Sequence, residues 1–136
     1  MGDYVLVVDD SPDVRRLILE VIDTMGVVAK EAINGQQALA MVDQDMPRVI
    51  ILDLMMPVMN GFTLITQLHS RKPGQPIPVI LLSGVADDHQ MKSLPGVVGV
   101  LRKGSFSIDE LSAVLRVALA KSEPAPETSP EKPTTP

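Results

Sequence analysis

Four short runs of branched, apolar residues constrain this chain more than any other feature: Val5-Leu6-Val7-Val8, Val49-Ile50-Ile51-Leu52, Val79-Ile80-Leu81-Leu82 and Val97-Val98-Gly99-Val100-Leu101. None alternates with polar residues, as strands covered on only one face would, so each reads as a strand buried on both faces of a parallel sheet. Each run also ends on chemistry. The first ends in Asp9-Asp10, the second in Asp53, the third in Ser83 and the fourth in Arg102-Lys103. Open α/β sheets bind their ligands outside the carboxyl ends of the strands. If the four runs are parallel, three acids, a hydroxyl and an ammonium therefore converge on one sheet edge.

Helical patterns separate the runs, giving βα units through residue 121. Ser11 is placed to cap a first helix with Pro12 at its first position, where a missing N–H costs nothing. Val14, Leu17, Ile18, Val21, Ile22 and Met25 recur at helical spacing, and Gly26 ends the helix. Val27 to Ala32 reads as a short second strand. Asn34-Gly35 opens a helix with Ala38, Leu39 and Val42 inward, and Pro47 closes it off. Asn60 is placed to cap a helix to about His69, buried through Phe62, Ile65 and Leu68, before a stiff loop at Pro73, Pro76 and Pro78. Asp87 to Leu94 allows a short helix, stopped by Pro95-Gly96. Ser107 and Glu110 form a capping box for the last helix, with Ile108, Leu111, Leu115 and Ala118 as its apolar stripe. Residues 122–136 hold five prolines and three glutamates, with Ala125 as the lone apolar residue. Such a segment cannot bury enough surface to offset the entropy of ordering, which predicts a domain over 1–121 and a disordered tail or linker over 122–136.

Composition removes several classes of function. No cysteine is present, hence no disulfide framework, thiolate nucleophile or thiolate metal site, and two histidines are too few for a histidine-rich one. A net charge of −5 argues against nucleic acid as a partner. Arg15-Arg16 and Arg71-Lys72, the densest basic pairs, read as solvated helix faces. No stretch approaches the ~20 apolar residues of a membrane span, and no basic leader precedes an apolar segment. The expectation is a soluble, cytoplasmic protein that does not engage membranes. With few aromatics the core must be aliphatic, and Met55, Met56 and Met59 read as flexible gap-fillers within it.

The acids define the chemistry. Side chains of adjacent strand residues leave on opposite sides, so Asp9 and Asp10 share a pocket only if the strand is already turning. At an effective dielectric of ~20, carboxylates ~4–5 Å apart repel by roughly 3–4 kcal/mol per pair. Such a pocket raises carboxylate pKa values, and a divalent cation relieves it. The all-oxygen environment suits Mg²⁺, which bridges protein carboxylates to phosphate. Asp53 has two available roles, metal ligand or nucleophile toward phosphorus, with Lys103 as a point charge and Ser83 as a donor to a phosphoryl oxygen.

Val7-Val8-Asp9-Asp10-Ser11, Asp53-Leu54-Met55-Met56-Pro57 with Asn60-Gly61, Ser83-Gly84 and Lys103 together resemble the receiver domain of bacterial two-component response regulators, over roughly residues 3–121. The resemblance implies a flavodoxin-like, doubly wound α/β fold. Its five-stranded parallel sheet has the order 2-1-3-4-5, with five helices, the fourth short. It also implies roles. Asp53 is the phosphoacceptor; Asp10, Asp53 and the backbone carbonyl of Met55 bind Mg²⁺, with Asp9 acting through water; Ser83 and Lys103 engage the phosphoryl group. The implied donor is a phosphohistidine on a sensor histidine kinase or phosphotransfer protein. The implied function is regulatory rather than enzymatic, with an output partner or output domain the sequence does not identify.

Three positions depart from the family pattern. Val100 stands where an aromatic switch residue is usual, Gly104 follows the lysine where proline is usual, and the segment before the fifth strand is short and broken by Pro95. Phe106 reads as a core or helix-start residue rather than a substitute aromatic. Apolar Met55 and Val85, two past Asp53 and Ser83, imply slow self-dephosphorylation. A phosphohydrolase with an aspartate nucleophile normally needs a second Asp where this chain has Met55. A receiver-like interaction module that is never phosphorylated is the other competing reading, and a flavin site is disfavoured because Asp9-Asp10 repel phosphate.

Overall fold

A computed structural model describes residues 4–55, 61–71, 77–84, 93–94 and 96–122. Five strands, β1 (Tyr4–Val8), β2 (Val28–Ala32), β3 (Val49–Asp53), β4 (Val79–Ser83) and β5 (Val97–Arg102), form one parallel sheet in the order β2-β1-β3-β4-β5. Four helices occur among the described residues: α1 (Pro12–Thr24), α2 (Gly35–Gln44), α3 (Gly61–Arg71) and α4 (Ile108–Ser122). The expected short helix over Asp87 to Leu94 lies outside the described residues except at Ser93 and Leu94, a turn and a bend. The expected Asn60 cap, Pro73, Pro76, Val85, Pro95 and the segment beyond residue 122 also lie outside them. No described helix is long and apolar enough to cross a membrane.

Strand alternation divides the core in two. Leu6, Val8, Ile50, Leu52 and Leu81 face α2 and α3, meeting Ala38, Leu39, Val42, Leu64, Ile65 and Leu68. Val5, Val7, Ile51, Ile80 and Leu82 face α1 and α4, meeting Ile18, Val21, Ile22, Leu111, Leu115 and Ala118. Burying both faces explains the unbroken apolar runs of β1, β3 and β4, whereas β5, at the sheet edge, is half-buried over residues 97–100. Several residues expected to be buried are not, among them Leu17 of α1 and Met55 after β3. Phe62 is exposed and Leu64 takes its place, while Ile108 is exposed at the first position of α4.

The caps match the sequence signals. Ser11 Oγ accepts from Val14 N (3.4 Å), and Asn34 Oδ1 accepts from Gln37 N (2.9 Å). At α4 the capping box closes both ways: Glu110 N donates to Ser107 Oγ (3.0 Å) and Ser107 N donates to Glu110 Oε1 (2.9 Å).

β5 pairs with β4 through an irregular register. Val97 pairs with Val79 but Gly99 pairs with Ile80, so Val98 is an extra residue. Val98 packs on the α1/α4 side, and a Cβ on Gly99 would lie 2.5 Å from Val114 Cγ1 of α4. Two consecutive residues thus face one helix, as a bulge allows, and the second has no side chain because α4 occupies that space. Downstream the register places Arg102 opposite Ser83, and Lys103 N donates to Ser83 O (2.8 Å).

Gly104 follows at φ +92°. Proline is locked near −65°, so the residue usual after the lysine in the resembling family cannot adopt this backbone. Gly104→Pro, although it restores that pattern, is expected to lower stability by more than about 1 kcal/mol in urea denaturation. An unchanged midpoint would mean the β5–α4 connection accepts the proline geometry.

Candidate functional site

The sheet's carboxyl edge brings the acids together because β1 stops at Val8. Asp9 N still donates to Ala32 O (3.2 Å), but Ser11 N folds back onto Asp9 Oδ1 (2.8 Å) and α1 begins at Pro12. The turn breaks strand alternation before Asp10, so two adjacent acids serve one site. One oxygen from each of Asp9, Asp10 and Asp53 lies within 4.8 Å of the others. Asp9 is 0% and Asp53 2% exposed, whereas Asp10 is open to solvent.

Lys103 reaches the acids from the end of β5. Its Nζ lies 2.7 Å from Asp53 Oδ2 and 3.2 Å from Asp9 Oδ1. Asp53 Oδ1 accepts from Met55 N at 3.1 Å, so both oxygens of this carboxylate are engaged. Ser83, buried, ends β4 one residue past Leu82, the partner of Asp53. Met55 is 71% exposed, which corrects its reading as a core gap-filler: its backbone serves the site while its side chain stands at the rim.

The electrostatics are strained. Burial pushes the Asp9 carboxyl above its usual range; the Ser11 N–H pulls it back, the Asp53 charge adds to the rise and Lys103 opposes it. Burial therefore outweighs the mutual repulsion expected from sequence. For Lys103, burial alone would lower the pKa, but the bonds to Asp53 and Asp9 more than offset it and hold the ammonium above its usual range. Asp9 Oδ2 is buried with no hydrogen-bond partner among the described residues. An orphaned carboxylate oxygen beside two more carboxylates, with only oxygen donors, is a donor set suited to a small hard cation.

Sequence reasoning missed Arg15. Expected on a solvated face, its side chain is only 13% exposed, ion-paired to Glu31 (Nε–Oε1 2.7 Å) and donating from Nη1 to the backbone carbonyl of Asp9 (2.7 Å). Its position on α1, six residues after Asp9, was the available signal. Arg71 is also paired, with Asp43 of α2 (2.7 Å). Val100 packs on the α2/α3 side of the sheet and Phe106 on the α1/α4 side, so Phe106 does not take the place of the missing aromatic.

Fold and edge together define a flavodoxin-like α/β domain with an acidic, lysine-bridged site. The sequence model of the response regulator receiver domain matches residues 5–116, and the chain belongs to that family, whose members serve two-component signalling as regulatory modules. An uncharacterized 14.6 kDa protein of Leptolyngbya boryana is 30% identical over 118 residues, covering 85% of this chain and 90% of that protein. A protein-glutamate methylesterase/protein-glutamine glutaminase of Treponema denticola is 43% identical over 86 residues, covering 62% of this chain but only 23% of that protein. Among solved structures, the chemotaxis response regulator CheY4 of Vibrio cholerae superposes with a TM-score of 0.78 at 28% identity, covering 88% of this chain and 100% of that one.

The raised pKa of Asp9 fixes a sign for stability. In metal-free buffer its charged form costs the fold free energy above the ordinary value of 3.8, and the cost disappears as pH falls through the raised value toward 3.8. Asp9→Asn is therefore expected to raise the melting temperature at neutral pH without metal, with the gain shrinking on acidification through that window. Thermal melts across pH test this; a lower melting temperature at pH 7 would reverse the assignment.

Proposed function

We propose that this chain is a phosphoacceptor: Asp53 takes a phosphoryl group from a phosphohistidine on a sensor histidine kinase or phosphotransfer protein, and the product alters binding to an output partner. The observation that carries the reading is the meeting of Lys103 Nζ with Asp53 Oδ2 at 2.7 Å beside Asp9 and Asp10. Asp9, Asp10 and Asp53, with the backbone carbonyl of Met55, would hold Mg²⁺, and the orphaned Asp9 Oδ2 supports a cation there. When bound, the ion supplies positive charge to the phosphoryl oxygens.

The chain's own groups do the rest. An Asp53 carboxylate oxygen forms a bond to phosphorus, the phosphorus–nitrogen bond to the donor imidazole breaks, and its electron pair stays on that nitrogen, which takes a proton. The product is an acyl phosphate. Met55 N–H and Lys103 orient the attacking carboxylate, and the ammonium stands ready for a phosphoryl oxygen. Ser83 lies at the same edge to donate to another. Turnover as a phosphohydrolase is disfavoured because Met55 offers no acid or base. The reading places the domain in the cytoplasm with its phosphohistidine donors, and assigns residues 122–136 to a tail or linker outside the receiver.

Acetyl phosphate with Mg²⁺, followed by intact-mass analysis, tests the reading. One added phosphoryl group is expected on the wild type, and none on Asp53→Asn or after chelation. An unmodified wild type, or a modified Asp53→Asn, would overturn it. Decay of the adduct tests the rim. The exposed Met55 side chain is expected to hinder a hydrolytic water, so Met55→Asn should hydrolyse several-fold faster; an equal rate would remove Met55 from that role.

A further inference from the structure

The guanidinium of Arg15, on α1, bonds both to β2 and to the residue that follows β1. Its Nε holds Glu31 of β2 and its Nη1 holds the carbonyl of Asp9, both at 2.7 Å. A carbonyl at the end of a buried strand needs a donor. Asp9 faces β2, where its N–H binds Ala32 O, but β2 ends at Ala32 and no residue of that strand lies beyond it to donate to the Asp9 carbonyl. The bond is charge-assisted and hence stronger than a neutral one.

We infer that Arg15 is a positioning residue for the acid pair: by fixing the Asp9 carbonyl it fixes the peptide plane shared with Asp10, and so the direction in which Asp10 leaves the chain. Two other polar groups of Asp9 are already committed, leaving Oδ2 for a cation. Its N–H binds Ala32 O, and its Oδ1 accepts from Ser11 N and Lys103 Nζ. Among the described residues the Asp10 side chain has no such anchors, and it is the exposed member of the three. Its placement therefore depends on the backbone on either side: the Ser11 turn after it and the Arg15 bond before it. Glu31 neutralises the guanidinium, so Arg15 acts through geometry more than through charge.

This inference rests on the metal-binding part of the proposed function, and its test separates the two. Mg²⁺ affinity is measured by titration calorimetry, and hydrogen exchange at the Ser11 amide is followed in metal-free protein. Arg15→Ala is expected to weaken Mg²⁺ binding about tenfold, the scale seen when an outer partner of a metal ligand is lost. It should also speed exchange at Ser11 while leaving α2 amides such as Ala38 unaffected. Arg15→Lys, which keeps a donor for the carbonyl, should recover most of both effects, and Arg16→Ala, exposed on the same helix, should match wild type. If Arg15→Ala only lowers the melting temperature while the Mg²⁺ affinity stays at the wild-type value, Arg15 is a structural staple and the inference is overturned. If wild type itself binds no Mg²⁺, the metal reading fails, and unchanged Ser11 exchange in Arg15→Ala would then reject the positioning role as well.

Discussion

One ammonium bridging two buried carboxylates holds the carboxyl edge of this molecule together. Asp9 and Asp53 sit at the ends of adjacent strands, both shielded from water, and Lys103 bonds to each. Without it, two desolvated anions would face one another, an arrangement that costs several kcal/mol per ion in general. With it, the site still carries three carboxylates against one cation, and one oxygen stays without a donor. The fold thus tolerates a deficit of positive charge at the place where its chemistry is proposed to occur. That deficit would favour a divalent cation there, and the cation's charge would in turn admit the proposed phosphoryl group.

The lysine reaches the acids through packing at a distance. The extra residue at Val98 lets β5 present Val98 and Gly99 to α4 in succession, and α4 closes down over the bare backbone. The shifted register then delivers Arg102 opposite Ser83 and Lys103 just beyond the strand. Apolar contacts between α4 and the sheet thereby set the height of a charged group at the edge. Gly104, in a left-handed conformation, turns the chain away immediately afterwards toward the capped start of α4.

Much of this was legible in the sequence, because the signals were local. Unbroken apolar runs, Ser11, Asn34 and Ser107 as caps, and an acid, a hydroxyl or a lysine at each run's end need no tertiary knowledge. The strand order came from family resemblance, not from periodicity, since nothing in an apolar run names its neighbour. Misreadings occurred where tertiary context decides. Phe62 and Ile108 have the right spacing for the core but stand in the first turns of their helices and are exposed. Met55 is apolar yet exposed because its backbone, not its side chain, is tied to Asp53. Arg15 was hidden because its partners, a carbonyl and a glutamate sixteen residues away, leave no pattern along one helix.

The residue after the proposed acceptor is held from both sides. Leu54 N donates to Leu82 O (3.1 Å), and Leu54 O accepts from Gly61 N (2.7 Å), so the chain leaves β3 and re-enters at α3 across a single closed gate. The two bonds tie the backbone immediately after Asp53 to β4 on one side and to the start of α3 on the other. The carboxylate is thereby seated by the sheet and a neighbouring helix together, and its position is a property of the framework rather than of one loop.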